Sequence, residues 1–371
     1  MLKIRKAMRY RILFLIIILV QPAALLLRAQ TVSESRTLEK SFSVNENMTL
    51  DITNKYGKIH LSQNRSDSVF IRIELNASAS KRSRLRKLID GVSFNLTSTP
   101  NFVIAETKFV KGPINLIEGL RSLTNNIISS ESRLKVDYYI YAPSYMRIKI
   151  DNRYGDVYIE STNANLDVTI VNGDLKAEDL SGDSSFELSF CDATISSLRK
   201  ARIELSYGDL DISRAESLAI YSTSSKIDIR DIEELTGESK RDRYFIKGLT
   251  TLKGNSYFSD YNIDILRESV SLTSRYGNIN IEMIPKSFNL ISIESSFTSV
   301  FLNASPEASF SFDANLSNCN SSIPDHWLVR EEALNIENNE YLYYGEIGRE
   351  KPGGKIILKL LRGKLIFDQY L

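Results

Sequence analysis

Four aspartates, Asp156, Asp174, Asp192 and Asp209, each stand immediately after a recurring glycine position, at intervals of 17 or 18 residues. One carboxylate per repeat on strands about 4.8 Å apart brings like charges close enough to repel, and calcium, which takes oxygen ligands, is the natural counter-charge. The plainer chemistry is a hydrogen bond from each turn's own backbone to its aspartate. The absence of the doubled glycine repeat of calcium-binding β-rolls favours the turn, while Lys226 and Arg243, which take over the same offset in the next two repeats, fit either account. A second column, Ser222, Ser239, Ser256, Ser274 and Ser295, lies three residues before the glycine position. No basic group is placed to make any of these a nucleophile, so the hydroxyls read as hydrogen-bonding groups along a stack. The aromatics just before the glycine position, Tyr154, Phe190, Tyr207, Phe258, Tyr276 and Phe297, read as corner packing. The outward Tyr158, Phe245 and Phe301 are the better candidates for carbohydrate contact. His60 and His326 are the only histidines, and there is no Ser-His-Asp context, zinc-ligand spacing or phosphate-binding glycine loop. The expectation is therefore a protein with no catalytic residues and no cofactor, calcium at the aspartate column excepted.

The elements that must carry these columns follow from the repeat itself. Counting from Gly155, the glycine position falls at Gly173, Cys191, Gly208, Ser225, Asp242, Ser259, Gly277 and Thr298, in steps of 17 or 18 residues until a last step of 21. Four residues after it come Ile159, Ala177, Ile195, Ile212, Ile229, Ile246, Ile263, Ile281 and Leu302, and two after it another mostly apolar set, while the odd offsets are mostly polar. That alternation is a strand with one buried face. Apolar pairs such as Ile148 and Ile150 or Leu218 and Ile220 stand seven and five residues before the glycine position. Each repeat is thus strand, corner, strand, and a unit of this length buries its apolar face only by stacking on its neighbours. The fold class is all-β, a parallel β-solenoid of flattened two-sheet section.

The first thirty residues carry Lys3, Arg5, Lys6, Arg9 and Arg11, an apolar run Ile12 to Val20, and Arg28-Ala29-Gln30, which reads as a signal peptide over residues 1–29. Retention as an uncleaved anchor is the alternative; either way the rest is exported. Net charge of +1 with 25% charged residues argues against nucleic acid as a partner. The basic run Lys81 to Lys87, with Leu85, Leu88 and Ile89, reads as a short amphipathic helix with a solvated charged face. Cys191 sits at a corner, and Cys319 falls in a tenth coil carried by Phe310, Phe312 and Ala314. The two are about 33 Å apart on that register, so both are expected to be unpaired. Residues 30–142 form an N-terminal β region capping the regular coils of 143–319, with Lys111 to Ser130 as a long loop. Residues 320–371 make an excursion around Trp327 and return as a closing coil at Ile356, Leu358, Leu360, Gly363, Leu365 and Phe367.

The run Val136-Asp137-Tyr138-Tyr139-Ile140-Tyr141-Ala142-Pro143, then Met146 to Ile159 with Arg153-Tyr154-Gly155-Asp156, and the closing Gly353-Gly354-Lys355-Ile356 to Gly363-Lys364-Leu365-Ile366 resemble the adhesin families of bacterial envelope proteins. The resemblance covers most of the mature chain. It implies a right-handed parallel β-solenoid at the cell surface, outer membrane or periplasm of a Gram-negative bacterium, with adhesion as the leading role and an unidentified surface partner, carbohydrate or protein. It brings no catalytic residues. A carbohydrate-active β-helix enzyme and an envelope-stress accessory protein are the alternatives.

Overall fold

The computed structural model describes residues 31–109, 132–327 and 329–369; the expected signal peptide and the Lys111 to Ser130 loop lie outside them. Among the described residues the chain is nearly all β, with 22 strands joined into a large, mostly parallel sheet that does not close on itself, and one helix. The described residues divide into two compact units, one made of 31–37, 74–93, 108–109 and 132–135, the other of 38–73, 94–107, 136–327 and 329–369.

The smaller unit carries the helix Arg82–Asp90. Leu85 and Ile89, one turn apart, are buried, while the surrounding basic residues are exposed, as the amphipathic pattern requires.

In the larger unit the repeat becomes a stack of coils. The strand Asn165–Val171 pairs in parallel with Arg147–Arg153 on one side and with Leu175–Ser189 on the other, each at an offset of 18 residues. Beyond it, Ala193 sits against Leu210, Leu210 against Ile227 and Ile227 against Tyr244, at offsets of 17. The inward column Ile195, Ile212, Ile229, Ile246 is in register and buried. A further inward column, not apparent in the repeat alignment, runs through Leu180, Leu198, Ala215, Ile232 and Leu249 at the far end of each coil. The step of 21 residues at Ile279 and Val300 accommodates a register shift after Ile281 and the buried Phe288.

Both ends of this stack are out of chain order. The strands Thr49–Lys55 and Ile59–Asn64, which form the Gly57 corner, pair in parallel with Arg147–Arg153 and Val157–Ile159 on one side. On the other side they pair with residues 102–106 and 138–143. The Gly57 copy is therefore an inner coil, laid between coils that come later in the chain. At the other end, Gly354–Leu361 inserts between Leu290–Ala304 and the strand Phe310–Ser317, and Lys364–Gln369 between Leu290–Ala304 and the short strand Asn320–Ser322. This corrects the expected tenth coil: Phe310, Phe312 and Ala314 do face the core, but the chain's final coil separates them from the preceding repeat. The excursion is an antiparallel hairpin, Arg330–Asn335 with Glu340–Ile347, whose second strand lies antiparallel against Phe310–Ser317. Trp327 tucks its ring against Phe367 (4.7 Å) and Phe310 (5.8 Å).

Candidate binding surface

Ten of the coils turn their corner on a residue with left-handed backbone. Tyr56, Tyr154, Asn172, Phe190, Tyr207, Ser224, Arg241, Phe258, Tyr276 and Phe297 all have φ between 52° and 63°. Bulky side chains avoid this region, at a cost on the order of 1 kcal/mol or more each. The reason lies in the next residue: a Cβ on Gly155 would fall 1.9 Å from the carbonyl oxygen of Gly57, and one on Gly208 2.0 Å from that of Cys191. The coils approach so closely there that glycine is favoured, and its predecessor absorbs the bend.

That conformation turns the corner rings outward. Tyr154, Phe190, Tyr207, Phe258 and Phe297 are 36 to 58% exposed, so the corner aromatics form a surface ridge rather than corner packing. Their rings stack along it: Tyr56 on Tyr154 at 5.5 Å, Phe190 on Tyr207 at 5.1 Å, Phe258 on Tyr276 at 4.6 Å and Tyr276 on Phe297 at 5.0 Å. Cations flank it, with Lys55 over Tyr56 and Tyr154, Arg275 over Tyr276 and Arg362 over Phe297. Of the three outward aromatics favoured from sequence, Tyr158 is half-buried in a stack with His60 (4.8 Å) that continues to Tyr139 (5.0 Å), and Phe301 is half-buried. Phe245 is exposed, with the Lys226 ammonium 5.5 Å from its ring.

Beside the ridge, on the outer face of the strands that precede it, runs a trough. Glu204, Tyr221, Glu238, Lys240, Tyr257 and Arg275 line a section of about 730 Å³. Arg275 is shared with a further section of about 490 Å³ that includes Glu294, Lys359 and Leu361. Tyr221 lies 4.0 Å beneath Arg202, which is itself paired with Glu204 at 2.7 Å. Strands stacked in register set these groups in two parallel columns, Glu204, Tyr221, Glu238 and Asn255 in one and Ser206, Thr223, Lys240 and Tyr257 in the other, a surface suited to an extended ligand.

The aspartates form the expected line, and their geometry is that of a ladder. Asp156 accepts the backbone N–H of Asp174 (3.3 Å), Asp174 that of Asp192 (3.4 Å), and Asp192 that of Asp209 (3.0 Å). Each carboxylate thus meets the amide of the coil above it. At the ladder's end Lys58 reaches Asp156 at 3.0 Å and Tyr158 donates to it at 3.2 Å. Burial resists ionisation of Asp156, but the Lys58 ammonium and the Asp174 amide outweigh it and hold the carboxyl below its ordinary value. Among the described residues no group of three or more His, Cys, Asp or Glu side chains gathers as a metal site.

The serine column is buried, and sequence reasoning missed what it serves. Asp242, at a glycine position, turns into the core at 1% exposure, where its carboxylate accepts from Ser222 (2.8 Å), the Ser225 amide (2.8 Å) and the Lys240 amide (2.7 Å). Tyr244 shares a hydrogen bond with Ser222, Tyr261 donates to Ser239, and the two rings stack at 4.5 Å. Burial raises the Asp242 carboxyl above its ordinary range despite those three donors. The signal was present in the sequence: tyrosines stand at two successive inward positions, where their hydroxyls require buried partners. Cys191 and Cys319 are unpaired, and burial pushes the Cys191 thiol up to about 12, making it an inert core group.

The fold and this surface define an all-β protein of stacked parallel coils that presents stacked aromatics and a charged trough. No family model and no curated protein matches the chain. Among solved structures, it is similar to a "putative cell adhesion protein" from Clostridium sporogenes, at 11% identity over 92% of this chain and 100% of that one, TM-score 0.17. It is also similar to a "putative adhesin" from Bacteroides fragilis, at 9% identity over 90% of this chain and 97% of that one, TM-score 0.28. With TM-scores this low, the two superpositions add nothing to the geometry above.

Proposed function

We propose that the chain is an exported, non-enzymatic binding protein of the bacterial cell envelope, an adhesin-like right-handed β-solenoid with its N-terminal β region as a cap. The observation that carries this reading is the trough beside the aromatic ridge, with Tyr221, Tyr257, Glu238, Lys240 and Arg275 set along its stacked strands. Aromatic faces for contact and charged groups for orientation are the usual ingredients of a recognition surface. The partner is a surface molecule rather than nucleic acid. Proteolysis of intact cells, followed by immunoblotting, tests the location: digestion of the protein supports adhesion to external targets, and protection overturns it. Cosedimentation of the purified protein with intact cells or isolated envelopes tests binding, with Tyr257→Ala and Arg275→Ala expected to weaken it.

A further inference from the structure

The corner rings form ladders, and between two of them a single rung is missing. Tyr56 and Tyr154 stack on one side, Phe190 and Tyr207 on the other, and Asn172 occupies the corner between. The Tyr154 amide donates to Val171 and the Asn172 amide to Ser189, so Tyr154, Asn172 and Phe190 stand on consecutive coils. Asn172 has the same left-handed backbone, with φ of 56°, and is exposed. At roughly 4.8 Å per coil the Tyr154 and Phe190 rings face each other across about 9.6 Å, two stacking distances. On the coil between them Asn172 puts a side chain shorter than the rings on either side, which leaves the outer part of that level for one ring.

We propose that this slot binds a pyranose ring of a neutral glycan, held between the faces of Tyr154 and Phe190, an assignment that rests on the reading of the chain as an envelope binding protein. A pyranose carries C–H groups on its two faces and hydroxyls around its rim. The slot has the matching layout, with an aromatic ring above and below and the Asn172 amide at its base. Asp156, Asp174 and Asp192 each follow a slot residue by two positions and alternate outward with the strand. One oxygen of each carboxylate accepts the neighbouring coil's amide; the second oxygen of Asp156 takes Lys58 and Tyr158, and Asp174 and Asp192 keep acceptor capacity for a rim hydroxyl. A partner's phenylalanine ring would fill the faces but offer the rim nothing to donate, and an anionic sugar would meet the Asp174 and Asp192 carboxylates, Asp156 being paired with Lys58. The retention of exposed Tyr and Phe in a strained backbone on both walls accords with a functional surface. The next interruption, Ser224 and Arg241 between Tyr207 and Phe258, spans two rungs and is too wide for one ring.

Titration calorimetry and saturation-transfer NMR of the purified protein with cellohexaose, maltohexaose and chitohexaose, and with N-acetyltyrosinamide as an aromatic probe, test the slot. At least one hexasaccharide should bind saturably and perturb the Tyr154 and Phe190 ring protons. Phe190→Ala should weaken that binding at least tenfold. Asn172→Phe, which completes the ladder, should abolish it without lowering the melting temperature, so the loss cannot come from unfolding. Binding of no hexasaccharide, binding unchanged in Asn172→Phe, or occupation by the aromatic probe alone would each overturn the proposal. Cosedimentation with envelopes separates the two levels: retention of wild type together with no hexasaccharide binding sinks the slot and leaves the binding reading standing, whereas no retention of wild type sinks that reading.

Discussion

Gly155 lies against the backbone of Gly57, so close that a Cβ on Gly155 would sit 1.9 Å from the Gly57 carbonyl oxygen, although the two belong to distant parts of the chain. The Tyr56 amide bonds to the Arg153 carbonyl and the Ile59 amide to the Asp156 carbonyl across the same seam. Gly155→Ala should therefore pry the Gly57 coil from its neighbour, at about 1–3 kcal/mol. A melting temperature equal to wild type would show that the backbone relaxes there, as it does around Cys191 at the equivalent position.

The buried column Ile212, Ile229, Ile246 places Ile229 between apolar neighbours on both sides at 0% exposure. Ile229→Asp buries a carboxylate without donors and should cost several kcal/mol. Thermal denaturation within about a degree of wild type, which corresponds to tenths of a kcal/mol, would refute the register.

The repeat was legible because alternation and corner spacing are local properties: Ile229 and its column alternate with polar residues wherever the chain lies. The order of the end coils was not, and the reason is degeneracy. Leu358 and Ile293 carry the same inward offset as Ala314, so the pattern marks each segment as a coil without saying which neighbour it takes. The ridge was obscured for a different reason. Tyr and Phe normally avoid left-handed backbone, so an aromatic before the glycine reads as packed inside until φ at Tyr207, 58°, shows it turned out. Asp242 combined both difficulties, as a polar residue at an inward position two of whose three donors, Ser222 and the Ser225 amide, come from the neighbouring coil.

Two carboxylates should respond to acid in opposite senses. Asp242 is raised above 3.8, so the folded protein holds that proton more tightly than the unfolded chain, and its contribution improves as pH falls from above its folded value toward 3.8. Asp156 is lowered below 3.8, so its contribution is present above that value and lost as pH falls through the depressed one. In denaturant titrations across this range, the stability difference between wild type and Asp242→Asn should move in favour of wild type on acidification. Movement the other way would show that Ser222, Ser225 and Lys240 stabilise the ionised form more than burial opposes it.

The aspartate ladder should behave as turn chemistry. Asp192→Ala removes the acceptor of the Asp209 amide and should cost about 0.5–1.5 kcal/mol. Millimolar calcium should leave the melting temperature of chelator-treated wild type unchanged. An upward shift abolished by Asp174→Asn with Asp192→Asn would instead place a cation on the column.

The closing coil should be the keystone of its end of the stack. Ile356, Leu358 and Leu360 lie between Ile291, Ile293 and Ser295 on one side and Phe312, Ala314 and Leu316 on the other. Phe367 stacks with Phe310 at 5.7 Å and meets Trp327 at 4.7 Å. Deleting residues 350–371 therefore removes a layer with paired strands on both faces, rather than trimming an outer strand, and leaves two unpaired edges facing an empty level. Limited proteolysis should then cut first between residues 305 and 349, while the coils from Gly155 to Gly208 keep their protection. Replacing Ile336 to Asn338 by Gly and Ser residues touches only the outer hairpin's turn and should leave that protection pattern as in wild type. Equal resistance of the truncated chain across residues 305–349 would mean that Phe310–Ser317 can close directly on Leu290–Ala304, and that the interleaved order is not what holds this end together.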